Sequence, residues 1–389
     1  MMKWVNGISR KVSLEASIGE IVEQVGAGLG KLRPDMGFLF VSHTFASEFP
    51  RVLPLLQEKF PIPALIGCGG SGIIGGGLEF ETEPVISLQV GHLPGVYIRT
   101  FHLNPDRLPD LDSPPQAWQE LVGIGGIDQP GFVLLVDGFS FPITDFLQGL
   151  DFAFPQSVKV GGLASGGGQG HNALFCDRHL YFNGAVGVAL WGNIKLDAVV
   201  AQGCRPIGEI LQITACERNI ITALNDRPPL QELQEIVNNL SERDRRLAQR
   251  SLFVGIVMNE FQAELKQGDF LIRNIIGVDP NSGAIAIGDR IRPGQRIQLH
   301  LRDADTSAED LRNALNQYVA PKPRGALMFA CTGRGEGLYQ KPNFDSELFQ
   351  QRFGAIDMSG FFCGGEIGPV GGTTFLHGYT SVFGIFREP

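Results

Sequence analysis

The stretch Cys363-Gly364-Gly365-Glu366-Ile367-Gly368-Pro369-Val370-Gly371-Gly372 lies near the end of the chain and has two fainter copies upstream. One copy begins at Cys68 and the other at Val160, and all three carry glycine at offsets one, two and eight. Glycine adopts positive φ without steric cost and lets other groups approach the backbone closely. The three copies therefore predict one structural unit used three times, with a turn whose backbone amides a ligand could touch.

Each glycine turn lies within the same predicted order of elements. An apolar strand, such as Gly131 to Asp137, is followed by a helical stretch, a second short strand, the turn and a third strand. Residues 36–100 and 131–200 form an internal duplication by this pattern, and the strand Gly325 to Cys331 opens a third copy. The segments after the turns are too short for the crossover helices that a wholly parallel sheet needs. The predicted fold class is mixed α/β (α+β), a layered sandwich of strand-helix-strand-turn-strand units with mixed or antiparallel sheets.

A chain of 389 residues favours two domains. An apolar stripe from Leu14 to Leu29, capped by Ser13, predicts a helical lead-in within residues 1–35. The paired prolines of the segment 225–229 predict a domain linker, because proline can continue neither a helix nor a central strand. The expected domains are therefore 36–224 and 230–389.

Three further elements are expected within the second domain. A charged amphipathic helix should run from about Leu230 to Arg250, and β-hairpins should occupy residues 270–301. Thr306, with Glu309 three residues later, is typical of a capping box and predicts the start of another helix.

Composition excludes several classes of function. The net charge is −9, with no block of like charge, which argues against nucleic acid as a partner. The one basic cluster, Arg243 to Arg250, contains Asp244 and follows Glu242, so it is interpreted as an exposed helix face. No apolar run reaches the ~20 residues of a membrane span, and the first ten residues contain no apolar signal core. Six cysteines without CxxC spacing predict reduced thiols and a cytoplasmic protein.

Familiar catalytic and nucleotide-binding motifs find little support. Residues 67–72 match the dinucleotide pattern GxGxxG, but the glycines at 75–77 prevent the helix that must follow to hold a pyrophosphate. There is no GK[ST] ending, no GxSxG elbow around a nucleophilic serine and no HExxH metal motif. The sequence therefore predicts no catalytic constellation, and we expect a protein that is not an enzyme.

Several side chains near the turns are candidates for ligand contact. Arg334 lies among glycines just past a buried strand, where a guanidinium can bind a carboxylate or phosphate in two-point fashion. The alternative is an ion pair with Glu336 or Glu366 that holds the turn. Glu366 occupies a place where the first copy has Ser71, so it could equally clamp its own turn or contact a ligand.

Cysteine and histidine each leave two interpretations open. Cys68 and Cys363 hold equivalent places by the offset count, as redox thiols or as small side chains that fill space. His171 and His377 follow the second and third turns, where each could bind a haem or a metal ion, or donate a proton to a ligand.

The last third of the chain resembles a known family. The series Ala326-Leu-Met-Phe-Ala-Cys331-Thr-Gly-Arg334-Gly, then Phe361-Phe-Cys-Gly-Gly-Glu366-Ile-Gly-Pro369, then His377, is similar to the C-terminal FIST (F-box and intracellular signal transduction) domain. The first half looks like the N-terminal FIST domain, through Gly37 to Ser42, Ile66-Gly67-Cys68-Gly69 and Val133 to Gly138. The resemblance covers roughly residues 33–378, and the match is to the bacterial stand-alone type.

This resemblance implies a sensory module that binds small ligands, with amino acids the usual suggestion. Bacterial modules of this type signal through histidine kinases or cyclic-nucleotide enzymes, and some relatives are haem proteins that sense nitric oxide. The chain leaves no room for an F-box or a kinase, so the expected signal passes to a separate signalling protein.

The leading hypothesis is a cytoplasmic sensory protein that binds a small ligand, without a resident cofactor, where the third turn meets Arg334. Backbone amides and an arginine together favour a small anionic or zwitterionic ligand. One alternative is a haem-binding nitric-oxide sensor that uses His171 or His377. The other is an enzyme with a nucleophilic thiol at Cys68, Cys331 or Cys363. The predicted ligand-binding residues are Gly69, Gly70, Cys331, Gly333, Arg334, Cys363, Gly364, Gly365, Glu366 and His377.

Overall fold

The computed structural model of the chain describes residues 1–126 and 129–389. These residues fall into two compact units, which do not coincide with the two halves of the chain. The first compact unit contains residues 1–200, 313–376 and 380–389, and the second contains 201–312 and 377–379.

The first two copies of the repeat fill residues 3–192 and have the same order of elements. The first copy contains β1(Lys3–Ser9), α1(Leu14–Leu29), β2(Met36–Ser42), α2(Phe49–Lys59), β3(Ala64–Gly70), β4(Ile73–Gly75), β5(Leu78–Phe80) and β6(Ile86–His92). The second contains β7(Val96–Leu103), α3(Pro115–Val122), β8(Gly131–Val136), α4(Ile143–Ala153), β9(Lys159–Leu163), β10(Leu174–Cys176), β11(His179–Tyr181) and β12(Ala185–Gly192).

The third copy starts at β13(Lys195–Ala201) and is interrupted along the sequence. The interrupting elements are β14(Arg205–Glu217), β15(Ile220–Leu224), α5(Pro229–Asn238), α6(Glu242–Ser251), β16(Leu252–Val257), β17(Phe270–Val278), β18(Ile285–Ile287) and β19(Arg296–Leu301). The copy then resumes with α7(Ala304–Gln317), β20(Gly325–Cys331), α8(Glu336–Tyr339), α9(Phe344–Phe353), β21(Met358–Cys363), β22(Glu366–Val370), β23(Thr373–His377) and β24(Ser381–Arg387).

Three six-stranded sheets form the first compact unit, one for each copy. Their strand orders are β1-β6-β2-β3-β10-β11, β7-β12-β8-β9-β22-β23 and β13-β24-β20-β21-β4-β5. In each sheet a central parallel pair, such as β2 and β3, lies beside an antiparallel third strand. The last two strands are a hairpin from another copy, because β4 pairs with β21, β10 with β3 and β22 with β9. The three copies therefore exchange hairpins in a closed cycle.

The inner faces of the three sheets enclose one apolar core, which includes Phe40, Val133 and Phe329 from the three first parallel strands. Rings from different sheets stack across it, as Phe40 does on Phe361 with centroids 5.4 Å apart. Helices cover the outer faces, with α1 and α2 on the first sheet and α3 and α4 on the second. Burial on both faces explains why the parallel strands are apolar throughout.

One glycine in each copy is required by close contact between the parallel strands. A Cβ on Gly67, Gly161 or Gly360 would lie 2.1, 1.8 or 1.8 Å from a carbonyl oxygen of the neighbouring strand. Their pairing partners are Leu39, Leu134 and Met328. These positions give the true alignment of the copies, so the offset count from Cys68, Val160 and Cys363 is wrong in register.

The second compact unit is built around a closed barrel of β14, β15, β18, β17, β16 and β19, in that order. Its core is aliphatic, with Ile213, Val254 and Leu299 among the buried side chains. Helices α5 and α6 pack on this barrel. The basic cluster on α6 is an exposed helix face as predicted, since Arg243 pairs with Asp305 and Arg246 with Glu242 at the surface.

The predicted fold class is confirmed, since the sheets are mixed or antiparallel and the strand-helix-strand-turn-strand unit recurs. The helix from Leu14 to Leu29 is also confirmed. The Ser13 hydroxyl caps its N-terminus by accepting a hydrogen bond from the Ala16 amide at 3.4 Å. Two edge strands, β1 and β7, were not predicted. Residues 1–35 supply β1 and α1 of the first copy, so they are part of the repeat.

Three boundaries in the second half also differ. The expected helix from Leu230 to Arg250 is two helices, because Ser241 caps α6 by accepting from the Asp244 amide. Helix α7 begins at Ala304, and the Asp303 carboxylate accepts the Thr306 amide at 2.7 Å. Residues 225–228 form a tight turn within the second compact unit, between β15 and α5, and Pro229 is the first residue of that helix. The domain limits 36–224 and 230–389, which divide the chain along its sequence, remain a prediction.

Candidate functional site

The carboxyl ends of the three parallel pairs lie together in the first compact unit. Ser42, Asp137 and Cys331 each lie three residues past the strand partner of a close-contact glycine, at or directly after the end of each first strand. Ligands of α/β proteins bind outside the carboxyl ends of parallel strands, where the loops leave room. This end is therefore the place to look for a site.

The turns that follow the second parallel strands meet through one hydroxyl group. Four residues past Gly67, Gly161 and Gly360 are Ser71, Ser165 and Gly364. The Ser165 Oγ accepts the Ser71 amide at 2.9 Å, lies 3.2 Å from the Ser71 Oγ and donates to the Phe362 carbonyl. A single side chain thus joins segments from all three copies of the repeat.

Backbone hydrogen bonds complete the convergence of the turns. The Ser165 amide donates to the Gly69 carbonyl at 3.3 Å, and the Gly364 amide donates to the Leu163 carbonyl at 3.0 Å. The Leu163 amide in turn donates to the Gly365 carbonyl at 2.8 Å. Of the predicted site residues, Gly69, Gly364 and Gly365 therefore lie in one network.

We define the strand-end face as the surface around these turns, formed by Thr44, Ser71, Gly166, Thr332 and Gly364. Thr44, Gly166, Thr332 and Gly364 are exposed, and Ser71 is half-buried. Hydroxyl groups and open glycine backbone from all three copies are thus presented to solvent at one place. The chemistry offered is that of neutral hydrogen-bond donors and acceptors.

A buried carboxylate stands behind this face in the second copy. The Asp137 Oδ1 accepts from the Asn172 side-chain amide at 3.0 Å, and its Oδ2 accepts from the Ser140 hydroxyl at 2.6 Å. Asn172 accepts the Gly167 amide at 3.1 Å through its Oδ1. This chain of bonds fixes the glycine loop that carries Gly166.

Arg334 lies behind its turn in a buried ion pair and has an exposed fraction of 1%. Its Nε and Nη2 donate to the two carboxylate oxygens of Asp345 at 2.6 and 3.0 Å, a bidentate arrangement. The partner is thus Asp345 at the start of α9, where the sequence suggested Glu336 or Glu366. The guanidinium holds the third turn against this helix.

Glu79 from the first copy's hairpin joins this cluster. Its Oε1 accepts the Ser346 amide at 2.7 Å, while its Oε2 is buried without a hydrogen-bond partner in the described parts of the chain. Burial, and then the negative charge of Asp345, raise the pKa of Glu79 to about 7. The bond from Ser346 and the charge of Arg334 oppose that rise.

Glu366 is fully buried at the first position of β22. Its Oε2 accepts the Thr380 amide at 3.1 Å. The pairing registers align Glu366 with Ile73 and Leu174, the apolar first residues of the corresponding hairpins. The alignment of Glu366 with Ser71 was therefore wrong, and the carboxylate replaces a core side chain.

The cysteines are not equivalent, because the corrected register aligns Cys363 with Gly70 and Cys68 with Phe361. Cys331 and Cys363 are paired partners on neighbouring strands, and the Gly333 amide donates to the Cys331 sulfur at 3.5 Å. Burial raises the pKa of the Cys68 thiol well above its usual value. Burial, followed by the charge of Glu366, does the same for Cys363. These two thiols are protonated at neutral pH and are not activated nucleophiles.

The two candidate haem ligands lie in different surroundings. His171 is exposed on the loop between β9 and β10, beside Gly170 and the polar Asn172. A haem needs an apolar slot, and these polar neighbours do not provide one, so His171 does not fit the group. His377 is buried at the end of β23 and belongs to the second compact unit.

Sequence reasoning missed Ser71, Ser165 and Asp137. The available signal was the glycine that each parallel strand requires, since counting four residues onward gives Ser71, Ser165 and Gly364. The glycine-rich composition of all three turns hid it, because an offset count finds several registers with similar agreement. No helix begins after Gly72, where the chain continues as strand β4, as the argument against a dinucleotide site expected.

Within the described parts of the chain, no cluster of three or more His, Cys, Asp or Glu residues could hold a metal ion. The helices of these same parts are all too short or too polar to cross a bilayer.

The chain is similar to several known proteins. The uncharacterised protein Rv0628c of Mycobacterium tuberculosis (strain ATCC 25618 / H37Rv) is 35% identical over 389 residues, which cover 98% of this chain and 99% of that protein. The uncharacterised protein Mb0898c of Mycobacterium bovis is 34% identical and covers 91% of each chain. The F-box/LRR-repeat protein At5g63520 of Arabidopsis thaliana is 32% identical over 116 residues, 25% of this chain and 22% of that protein.

Among solved structures, cyanuric acid hydrolase from A. caulinodans aligns over 100% of this chain and 99% of its own. The TM-score is 0.39 at 9% identity. The FIST N domain model matches residues 35–227, and the FIST C domain model matches residues 229–369. The two matches together span most of the chain, and the resemblance drawn from the turn motifs is confirmed. The chain therefore belongs to the FIST family, with an N-terminal and a C-terminal FIST domain in tandem.

Proposed function

We propose that this protein is a cytoplasmic sensory protein that binds a small polar ligand at the strand-end face and signals through a separate protein. FIST domains are associated with sensory signalling, which gives the general class of function. The observation that supports the site is the Ser165 hydroxyl, which joins turns from all three copies directly beneath exposed glycines. A ligand at this face would touch all three copies at once.

The charges at the site refine the chemistry of the proposed ligand. The Arg334 guanidinium pairs with Asp345, so it is not the cation that would bind a purely anionic ligand. Hydroxyl groups and glycine amides suit a zwitterion or a neutral polar molecule, which needs both donors and acceptors. Amino acids are therefore the first class to screen. In this proposal Arg334 and Glu366 position the third turn, while Gly333, Gly364 and the serines contact the ligand.

Signalling would come from the contact between the turns of the three copies, which the Ser165 side chain joins. A ligand that bridges the turns would stabilise one arrangement of the three copies over others, and only such differential binding can shift an equilibrium. A histidine kinase or a cyclic-nucleotide enzyme is the proposed class of partner. All six cysteines are free, in keeping with a reducing compartment.

The experiment is a thermal-shift screen against the amino acids and small organic acids. A ligand that binds only the folded state stabilises it by about 3 kcal/mol at one hundred times its Kd, which raises the melting temperature. The matched variants are Gly364→Leu and Gly26→Leu. An added Cβ at Gly364 meets nothing closer than 3.8 Å, and at Gly26, on α1, nothing within 4 Å.

We expect a stabilising ligand whose shift Gly364→Leu abolishes and Gly26→Leu preserves. If no compound stabilises the protein, or if both variants respond like the natural chain, the strand-end face is not the ligand site.

A further inference from the structure

The second sheet of the first compact unit ends in an open edge, formed by β7. This strand is eight residues long, Val-Tyr-Ile-Arg-Thr-Phe-His-Leu, and among the described strands it pairs only with β12. The pairing runs from Val96 to Leu103 without a bulge. Proteins normally blunt such an edge with proline, lysine, a bulge or a covering segment, because its free N–H and C=O groups can pair with another chain. β7 contains neither proline nor lysine.

The equivalent strand of the first copy, β1, shows what a closed edge looks like. The Asn6 amide donates to the Asp357 carboxylate at 3.1 Å. Gln24 accepts the Ile8 amide at 2.8 Å and donates to the Ile8 carbonyl at 2.9 Å. Side chains thus occupy the outward backbone groups of β1, and no further strand can add there.

The pairing registers show which residue of β7 corresponds to each residue of β1. Gly7 of β1 pairs with Leu88, and Phe101 of β7 pairs with Gly187 at the corresponding place of β12. Thr100 is therefore the counterpart of Asn6, and its amide points away from β12, as does that of Ile98 two residues earlier. Within residues 1–126 and 129–389, no side chain accepts either amide.

Space for an added strand lies beside this edge. A cavity of about 590 Å³ is lined by residues 93–100 together with Asp35, Pro63 and Ala64. A second cavity of about 410 Å³ continues past Pro63 to Arg178. Strands in a sheet are about 4.8 Å apart, so a segment in this groove could pair with β7 and also contact Asp35 and Pro63.

The charges along the groove select its occupant. Arg99 and Arg178 are exposed, and neither forms an ion pair within the described residues. Two carboxylates also line the groove, and both are engaged: Asp35 by the Leu93 amide at 2.5 Å and by His92 at 3.5 Å, and Asp177 by the Leu65 amide at 3.1 Å and the Thr100 hydroxyl at 2.8 Å. Two free cations in a chain of net charge −9 favour an acidic segment, while Pro63 and Leu93 favour apolar side chains.

We propose that the open edge of β7 binds an extended segment of a partner protein in which acidic and apolar side chains alternate. The segment adds as a seventh strand, with backbone hydrogen bonds to Ile98 and Thr100 and an acidic side chain opposite Arg99. This docking edge requires no ligand at the strand-end face, so it goes beyond the proposed function and can fail independently of it.

The test uses the full-length protein and a fluorescein-labelled peptide of about eight residues that alternates valine and glutamate. Binding is measured by fluorescence anisotropy. Only alternate residues of an added strand direct their amides toward β7. Two further peptides therefore carry N-methyl groups on every valine or on every glutamate. We expect the unmodified peptide to bind, with one methylated peptide at least about tenfold weaker and the other nearly unchanged.

Arg99→Glu tests the charge, and Arg290→Glu is its control, because Arg290 is exposed on the second compact unit and undergoes the same change. We expect about tenfold weaker binding for Arg99→Glu only.

Three results would overturn the proposal. One is no binding up to about 1 mM peptide. Another is equal affinity for both methylated peptides, which would show adhesion without strand pairing. The third is a dimer in analytical ultracentrifugation that Arg99→Glu dissociates, which would make a second copy the occupant.

Discussion

Replacement of Glu79 by glutamine should stabilise the protein at alkaline pH and have little effect at acidic pH. Within the part of the chain that the structure describes, one carboxylate oxygen of Glu79 is buried without a hydrogen-bond partner, and Glu79 lies near the carboxylate of Asp345. Among the described residues, the charge of Arg334 offsets part of these two negative charges. Glutamine has the shape of the protonated acid, and its carbonyl oxygen can still accept the Ser346 amide.

The direction in which stability changes with pH follows from the raised pKa of Glu79. The pKa of Glu79 rises from 4.5 to about 7, so the folded protein holds a proton that the unfolded chain releases between these values. The free energy of unfolding therefore falls as the pH rises through this window. A rise of this size corresponds to about 3 kcal/mol, which is fully lost near pH 8. Glu79→Gln should remove that loss and be more stable than the natural chain at about pH 8 by up to about 3 kcal/mol.

The assay is urea denaturation followed by tryptophan fluorescence at several pH values from about 5 to 8. All three tryptophans, Trp4, Trp118 and Trp191, belong to the first compact unit, which also contains Glu79, so the signal reports on the relevant part. Glu83→Gln is the control, because Glu83 forms a surface pair with Arg10 and should contribute less than about 1 kcal/mol.

A difference in the free energy of unfolding between Glu79→Gln and the natural chain that does not change with pH would contradict the raised pKa of Glu79. A variant that is the less stable protein at about pH 8 would contradict it as well.

Three other predictions concern the core of the first compact unit. Gly360→Ala places a methyl group 1.8 Å from a carbonyl oxygen and should lower the free energy of unfolding by at least about 3 kcal/mol in urea denaturation. The control Gly26→Ala, on α1, should raise it by up to about 1 kcal/mol. Equal stabilities of the two variants would contradict the close contact. Arg334→Met leaves Asp345 as an unpaired buried charge and should cost about 3–5 kcal/mol, and a loss below about 1 kcal/mol would deny the ion pair its role. Alkylation at about pH 8 followed by peptide mass spectrometry should leave Cys363 unmodified until urea unfolds the chain, and rapid labelling of the native protein would reverse the interpretation of a buried, protonated thiol.

Much of the fold could be predicted because its signals are local. The helix from Leu14 to Leu29 has an apolar stripe and a capping serine, and both lie within one stretch of sequence. The strands Gly131 to Val136 and Gly325 to Cys331 are continuous apolar runs, as strands buried on both faces must be. The repeat itself was visible in the glycines.

The edge strands could not be predicted in the same way. β1 contains Asn6 and β7 contains Arg99, and such half-buried strands have a weaker pattern than a buried run. What makes them strands is pairing with β6 and β12, and every paired residue lies more than seventy-five residues away along the chain. Tertiary context decides edge strands more than propensity does.

The sequence alone established that one glycine-rich unit occurs three times, because the glycines of each copy follow the same order of apolar strands. It also determined the family, through the motifs around Arg334 and Glu366. Only the tertiary structure decided which glycine is which, since register depends on the neighbouring strand. Only the structure paired Arg334 with Asp345 and brought Ser165 against Ser71. The physical reason is the exchange of hairpins between copies, which makes the partners of each turn residues from distant parts of the chain.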